Sequence, residues 1–355
     1  MARTMRLFLI RHGETVDNVA GLYAGIRDSE LTNHGYQQAA RLGMYYHTIG
    51  LRFTHLFSSH LQRAAKTAGK IREAQFAQGA ADVIVPDVVQ LPLLAEQNFG
   101  SMEGKKFYGR PLESKMTGKE HRRQQNKGMA GFVDVESKDA MAQRADTFLD
   151  AHLLPLLDDT TETTQKCVAI VSHGIFLSTL WKRLLLRLPA RSVVLSPELQ
   201  ATARPSLEHL GGWSNTGFLE LQMVNETESF DHSAPGEPST HEAPPSPPPT
   251  ETPAAKSLDE IPAADNNLGK VFIPQISVES AISDKASEKV SDDVKSDTVP
   301  TPPPRLAKGW STTVLSINGK DHLKGLKRTG GGVGSSRHDT SQVSIETFFK
   351  RRKVD

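Results

Sequence analysis

Apolar runs and amphipathic stretches alternate along the chain up to about residue 228. Five of the six residues from Met5 to Ile10 are apolar, the composition of a strand buried on both faces of a parallel sheet. Thr32 reads as a helix N-cap, with apolar residues at helical spacing from there through Tyr46. "FTHLFSS" (53–59) predicts a second strand, and "LQRAAKTAGKIREAQF" (61–76) an amphipathic helix rich in good helix formers. "DVIV" (82–85) predicts a short third strand, and Ser137 caps a helix from about Lys138 to Leu157. "KCVAIVSHG" (166–174) predicts a fourth strand that breaks into Ser-His-Gly, a helix follows over 175–187, and "GFLELQMV" (217–224) is a last strand. This alternation predicts an α/β three-layer sandwich, a mostly parallel central sheet with helices on both faces. Its two most apolar strands each end in a His followed by Gly. In a parallel sheet His12 and His173 then emerge at the same edge, where such sheets bind ligands.

Composition changes this picture beyond residue 228. From about Phe230 to Pro304 the chain is rich in Pro, Ser, Thr, Glu, Asp and Ala, and "HEAPPSPPPTETPAA" (241–255) can form neither a helix nor a central strand. The expected organisation is a folded domain over 1–228, a disordered Pro/Ser/Thr-rich and then basic linker over 229–340, and a terminal motif segment over 341–355. The formal net charge of +1 says little about partners, but Arg305–Asp355 holds 11 Lys/Arg against 4 Asp/Glu, a balance suited to acidic surfaces. A single cysteine, Cys167, excludes an internal disulfide and suits a reducing compartment. No run reaches 18 apolar residues, and the N-terminal apolar run is too short for a signal peptide, so neither a membrane span nor a secretory leader is expected.

The chemistry-bearing residues at predicted strand ends and helix starts are Arg11, His12, Arg63 and His173. Two guanidiniums and two imidazoles make an electropositive pocket. No acidic cluster stands beside them for Mg²⁺ or Ca²⁺ and no Cys pair for Zn²⁺, so no metal or other cofactor is expected. Arginine's planar fork matches phosphate oxygens, and a neutral imidazole is nucleophilic enough to carry a phosphoryl group. The leaving oxygen then needs a proton from a positioned carboxyl. "LLAEQNFGSMEGK" (93–105) offers Glu96 and Glu103.

Four segments in this order resemble the histidine phosphatase superfamily, also called phosphoglycerate mutase-like: "RHGET" (11–15), "SSHLQRAAKTA" (58–68), "LLAEQNFGSMEG" (93–104) and "VSHGIF" (171–176). "GLYAGIRDSELTNHGYQQA" (21–39) follows the family's spacing as well. The resemblance implies that His12 is the nucleophile that becomes phosphorylated, and that Arg11, Arg63 and His173 clamp the phosphoryl oxygens. Glu96 would protonate the leaving group and then activate water, Asn18 would contact the phosphate, and Glu103 with Gly104 would shape the loop. Thr15, without a mutase-type continuation, and "LRFTHLFSSHLQRAAKTAGKI" (51–71) resemble the phosphatase branch, its fructose-bisphosphatase-like members in particular. The expectation is a metal-independent phosphomonoesterase working through phosphohistidine on a phosphorylated small molecule or phosphoprotein. The alternatives are a phosphoglycerate-type mutase or an adaptor with a phosphate-binding domain.

Two further patterns bear on specificity and partners. The insert from Lys105 to Lys127 carries eight Lys/Arg, a lid that would favour a substrate with more than one phosphate. In "SQVSIETFFKRRKVD" (341–355), Gln342, Ile345, Phe348 and Phe349 have the spacing Q-x-x-I-x-x-F-F. The segment resembles the motif that docks proteins on the replication sliding clamp PCNA. One helical turn would present Ile345 and Phe348 as an apolar plug, with "KRRK" (350–353) meeting an acidic rim. "KRRK" also reads as a nuclear import signal, so the expected location is nuclear, cytoplasmic or both. Direct nucleic-acid binding is not expected.

Overall fold

β1 (Arg3–Arg11) is covered on both faces, because successive side chains of a strand point to opposite sides. Met5, Leu7 and Leu9 enter one apolar cluster, and Phe8 and Ile10 enter the other. Its parallel neighbour β4 (Lys166–Ser172) divides in the same way, Val168 and Ile170 to the first cluster and Cys167, Ala169 and Val171 to the second. This is why Leu7–Ile10 and Cys167–Val171 read as unbroken apolar runs. The remaining strands are β2 (His55–Ser59), β3 (Val88–Leu91), β5 (Val193–Leu195), β6 (Phe218–Asn225) and β7 (Trp310–Gly319). In this computed structural model the seven form one sheet in the order β3-β2-β4-β1-β6-β7-β5. The pairs β3/β2, β2/β4, β4/β1 and β7/β5 are parallel, and β6 runs antiparallel to β1 and β7.

The described residues are 3–76, 85–107, 128, 130–159, 165–202, 206–225, 306–330 and 332–339. All belong to the unit formed by Met1–Ser229 with Thr301–Asp355. Among them no helix is long and apolar enough to cross a membrane.

Helices complete the two outer layers. α1 (Val16–Ala20) is a single turn closed by a capping box between Thr15 and Asn18. α2 (Asn33–Thr48), capped by Thr32, and α3 (Gln62–Phe76) pack Leu42, Tyr46, Ala64, Ala68 and Ile71 into the second cluster. On the other face lie α4 (Lys138–Phe148), a π-helical turn (Leu149–Leu153), α5 (Leu154–Asp158) and α6 (Gly174–Leu185). They bury Phe148, Leu153, Leu157, Phe176, Leu180 and Trp181. α7 (Pro197–Thr202) follows β5.

Four sequence expectations need correction. The strand that pairs with β2 is Val88–Leu91, a stretch the sequence pattern did not single out. Two similar apolar stretches lie in succession, and the one beside Pro92 pairs with β2; Val85 is in no strand, and 82–84 lie outside the described residues. The helix expected from Lys138 to Leu157 is interrupted by the π-helical turn ahead of Pro155, which cannot donate to the preceding turn. α1, β5 and α7, each six residues or fewer, were too short for periodicity to reveal. The largest correction concerns the domain boundary. Residues 306–330 and 332–339, expected within a linker, are part of the fold. β7 inserts between β6 and β5, burying Trp310, Thr312 and Val314. The stretch after β7 runs against α2: Arg41 Nη1 donates to the Lys324 carbonyl at 2.9 Å, and His338 stacks on Tyr36 at 3.7 Å between centroids. The Pro-rich stretch 241–255 and the motif residues Gln342, Ile345, Phe348 and Phe349 lie outside the described residues.

Candidate active site

β1 and β4 are aligned so that Arg11 sits opposite Ser172, and the next residue on each chain is a histidine. His12 N donates to the Ser172 carbonyl at 3.0 Å, and the His12 and His173 ring centroids are 5.1 Å apart. The convergence expected from topology therefore follows from strand register. His12 Nδ1 lies 2.6 Å from the Gly13 carbonyl oxygen, which only accepts, so the proton is on Nδ1 and Nε2 carries the free lone pair. Burial first, and then the Arg63 and Arg11 charges, hold the His12 imidazole well below its ordinary pKa. It is neutral at pH 7. Gly13 allows the close approach behind it, since a Cβ there would lie 2.5 Å from the Gly35 carbonyl oxygen. Thr67 Oγ1 accepts from Gly13 N at 3.1 Å.

Arg63, in the first turn of α3, is only 1% exposed. Its Nε donates to His173 Nδ1 at 3.1 Å, Nη1 to the Arg27 carbonyl at 2.8 Å, and Nη2 to the Gly25 and Ala24 carbonyls at 2.7 and 3.2 Å. Burial pulls its pKa down to about 10, opposed by Glu96, so it stays charged at neutral pH. Because Nδ1 of His173 accepts, its proton is on Nε2, a buried N–H with no partner among the described residues. Burial and then the Arg63 charge keep His173 well below the usual imidazole range. Arg11 Nη1 donates to the Trp213 carbonyl at 2.6 Å, while its buried Nε has no partner among the described residues. A neutral nucleophilic nitrogen and two unclaimed cationic or imidazole donors thus share one sheet edge, a combination able to receive a phosphoryl group and hold its oxygens.

Glu96 lies at the start of α6, directly after His173. Its Oε1 accepts from Phe176 N at 3.0 Å and from Gln97 N at 2.9 Å, and its Oε2 from Ile175 N at 3.1 Å. The carboxylate caps the helix that follows His173, a contact sequence spacing does not reveal. It also acts electrostatically on both Arg11 and Arg63. Glu103 does different work. Its two oxygens accept from Gly25 N, Ile26 N, Arg27 N and Phe99 N at 2.8–3.3 Å. It thereby fixes the loop whose carbonyls hold Arg63. Asn18 Oδ1 accepts from Thr15 N and Asn215 Nδ2, both at 3.2 Å, which ties it to the turn after His12. In the basic insert only Lys105 and Lys106 are described, both outside this cluster of contacts; Arg110, Lys115, Lys119, Arg122, Arg123 and Lys127 lie outside the described residues.

Sequence reasoning missed the loop 213–217. Trp213 receives Arg11, and the His12 carbonyl accepts from Thr216 N at 3.2 Å and from Asn215 Nδ2 at 3.3 Å. "WSNTG" carries no periodicity and no charged group, so nothing in the pattern marked it.

The profile of the histidine phosphatase superfamily (branch 1) matches residues 7–198. The chain belongs to the histidine phosphatase superfamily. Within it, the chain is 34% identical over 195 residues to a probable phosphoglycerate mutase, GpmB, of Erwinia tasmaniensis, covering 53% of this chain and 78% of that protein. It is 32% identical over 189 residues to a probable phosphatase of Schizosaccharomyces pombe, covering 50% of this chain and 56% of that protein. The fructose-2,6-bisphosphatase TIGAR B of Danio rerio is 40% identical over 103 residues, 29% of this chain and 37% of that protein. The chain thus spans only about half of some of the relatives it matches. Among solved structures, a mycobacterial glucosyl-3-phosphoglycerate phosphatase is similar over 64% of this chain and 92% of its own, at 22% identity and a TM-score of 0.42. In this member of the superfamily all four segments quoted from the sequence fall within the matched range.

Proposed function

We propose that the chain is a phosphomonoester hydrolase that works through a phosphohistidine. The observation that carries this reading is the 2.6 Å contact between His12 Nδ1 and the Gly13 carbonyl oxygen. The Nδ1 proton is committed to the Gly13 carbonyl, leaving the Nε2 lone pair beside the unclaimed donors of Arg11 and His173. In the first step His12 Nε2 forms a bond to phosphorus while the bond from phosphorus to the ester oxygen breaks. The leaving oxygen takes up a proton, the role that the resemblance assigns to the Glu96 carboxyl, producing the alcohol. In the second step water bonds to phosphorus and the phosphorus–nitrogen bond breaks. Glu96 takes the water's proton, and phosphate leaves. Arg11, Arg63 and His173 stabilise the charge on the equatorial oxygens, and Asn18 joins them through its amide NH₂. These charges supply the neutralisation, so turnover is expected to persist in the presence of a chelator.

A phosphoglycerate-type mutase is the second reading, favoured by the likeness to GpmB. It shares the first step but returns the phosphoryl group to an acceptor hydroxyl. Sugar bisphosphates head the candidate substrates, on the likeness to TIGAR B and the eight basic residues between Lys105 and Lys127. A panel of sugar mono- and bisphosphates, phosphoglycerates and phosphoserine peptides separates the readings. Release of inorganic phosphate supports the hydrolase, isomerised phosphoglycerate without phosphate release supports the mutase, and no turnover of any compound with chelator present overturns the proposal.

The terminal pattern of Gln342, Ile345, Phe348 and Phe349 supports a second, separable role: docking of the enzyme on the sliding clamp PCNA, in the nucleus. Replacing Phe348 and Phe349 together by Ala should abolish retention on immobilised clamp and leave phosphatase activity within about twofold. Equal retention of both proteins would remove that partner.

A further inference from the structure

The loop 213–217 holds the start of the catalytic edge from outside the catalytic elements. The Trp213 carbonyl accepts from Arg11 Nη1 at 2.6 Å, the Gly217 carbonyl from Arg11 N at 3.1 Å, and the His12 carbonyl from Thr216 N at 3.2 Å. The loop does not fix its own shape. Thr216 has φ +55, the left-handed region that a β-branched residue adopts at a cost, so its conformation must be imposed by neighbours. Those neighbours come from about a hundred residues further along the chain. Asn318, at the end of β7, accepts through Oδ1 from Ser214 N at 2.9 Å and donates through Nδ2 to Ser214 Oγ at 3.1 Å. Thr216 Oγ1 donates to the Asn215 carbonyl at 2.7 Å, so it accepts from His322 Nε2, which lies 2.8 Å away. The fit has no slack: a Cβ on Gly217 would lie 2.1 Å from Asn318 Oδ1. Asn318 is itself left-handed, with φ +51, a conformation that Asn and Asp tolerate.

We propose that Asn318 and His322, contributed by the segment after residue 305, are positioning residues of the phosphoryl-transfer site: by clamping Ser214 and Thr216 they hold the Arg11 guanidinium and the backbone of His12 in place. This deepens the phosphohydrolase reading and rests on it. It also goes beyond the superfamily match, which ends at residue 198. The consequence is that the site is completed by a part of the chain that an N-terminal domain alone does not contain. Misplacing a clamp by about 1 Å can cost on the order of 10²-fold in rate.

The test uses the full-length chain. Asn318→Gly removes the side chain without straining a left-handed backbone, and Asn318→Asp keeps an acceptor for Ser214 N and lets the Ser214 hydroxyl donate in return. The first readout is the titration of the His12 imidazole by NMR, which needs no turnover. The groups acting on His12 are Arg63 from α3 and Arg11 from β1, with the His173 ring ahead of α6 beside it, and Glu96, from the loop after β3, acts on both arginines. Loosening the clamp admits water and moves the Arg11 charge away, and both changes raise the pKa of His12. The second readout is kcat/KM for p-nitrophenyl phosphate. Asn318→Gly should move the His12 titration toward higher pH by about one unit and lower kcat/KM by about tenfold or more, through kcat more than KM. Asn318→Asp should restore both. A His12 titration in Asn318→Gly that matches wild type overturns the inference, whether or not the enzyme turns over. Absence of turnover in wild type with the titration shift present counts against the phosphohydrolase reading instead.

Discussion

Replacing His12 by Asn should leave a folded protein whose phosphomonoester turnover is lower by about 10⁴-fold or more, the scale seen when a catalytic nucleophile is removed. Asn fills most of the imidazole's space and can still donate to the Gly13 carbonyl, so stability should change by no more than about 1 kcal/mol. The check is acid-stable against acid-labile phosphate after a rapid quench with labelled substrate. Wild type should trap an acid-labile phosphoryl group on the peptide containing residues 11–15, and His12→Asn should trap none. The same geometry sets the pH dependence. His12 lies in a buried site beside two guanidiniums, so its pKa is depressed. A depressed pKa keeps the imidazole neutral above, and for some distance below, the ordinary value of about 6.5. The acid limb of kcat/KM should therefore fall below pH 6.5, with activity retained between pH 6 and 7. An acid limb above 6.5 would mean that the nucleophile titrates in a more open site than this one.

A chain ending at residue 229 should not fold to a stable domain. It would lose β7, which among the described residues is the one strand paired with β5, and would strip the antiparallel ladder from β6. Trp310 and Val314, 4% and 0% exposed, would leave the first apolar cluster open. Each such side chain contributes about 1.5–3 kcal/mol on burial. Together with the lost ladder this approaches the whole stability of a typical domain, about 5–15 kcal/mol. The complementary deletion should behave oppositely. Asn225 and Trp310 face each other across the β6/β7 pair, so a short Gly/Ser linker in place of residues 228–305 can join them, and the shorter loop lowers the closure entropy. That variant should keep a cooperative melt and the wild-type far-UV circular dichroism. A folded 1–229 fragment would show that β7 is not integral to the domain, and an unfolded linker variant would show that residues 228–305 contribute to its stability.

Much of the site was legible because buried parallel strands leave a strong local signal. Leu7–Ile10 and Cys167–Val171 had to be apolar on both faces, and polar residues that interrupt such runs at a sheet edge stand out. That is how Arg11, His12 and His173 came into view together. Arg63 was a candidate by its place at a helix start and Glu96 only as one of two loop acids with Glu103; the family resemblance assigned their roles, because a basic residue on a helix and an acid in a loop look like solvated charges on their own. The contacts give them distinct surroundings. Arg63 is buried with four donated hydrogen bonds, and Glu96 is the cap of α6.

The sequence by itself determined the α/β class, the central strands, the two-histidine edge and the superfamily, because each depends on local pattern or on short contiguous motifs. Only the tertiary structure decided that residues 306–330 and 332–339 belong to the fold, that the loop 213–217 grips Arg11 and His12, and that Asn318 and His322 grip that loop. These depend on pairings between residues a hundred or more positions apart, made by side chains such as Asn, Thr and Ser. Their hydrogen-bonding partners are set by three-dimensional proximity, which leaves no period in the sequence to read.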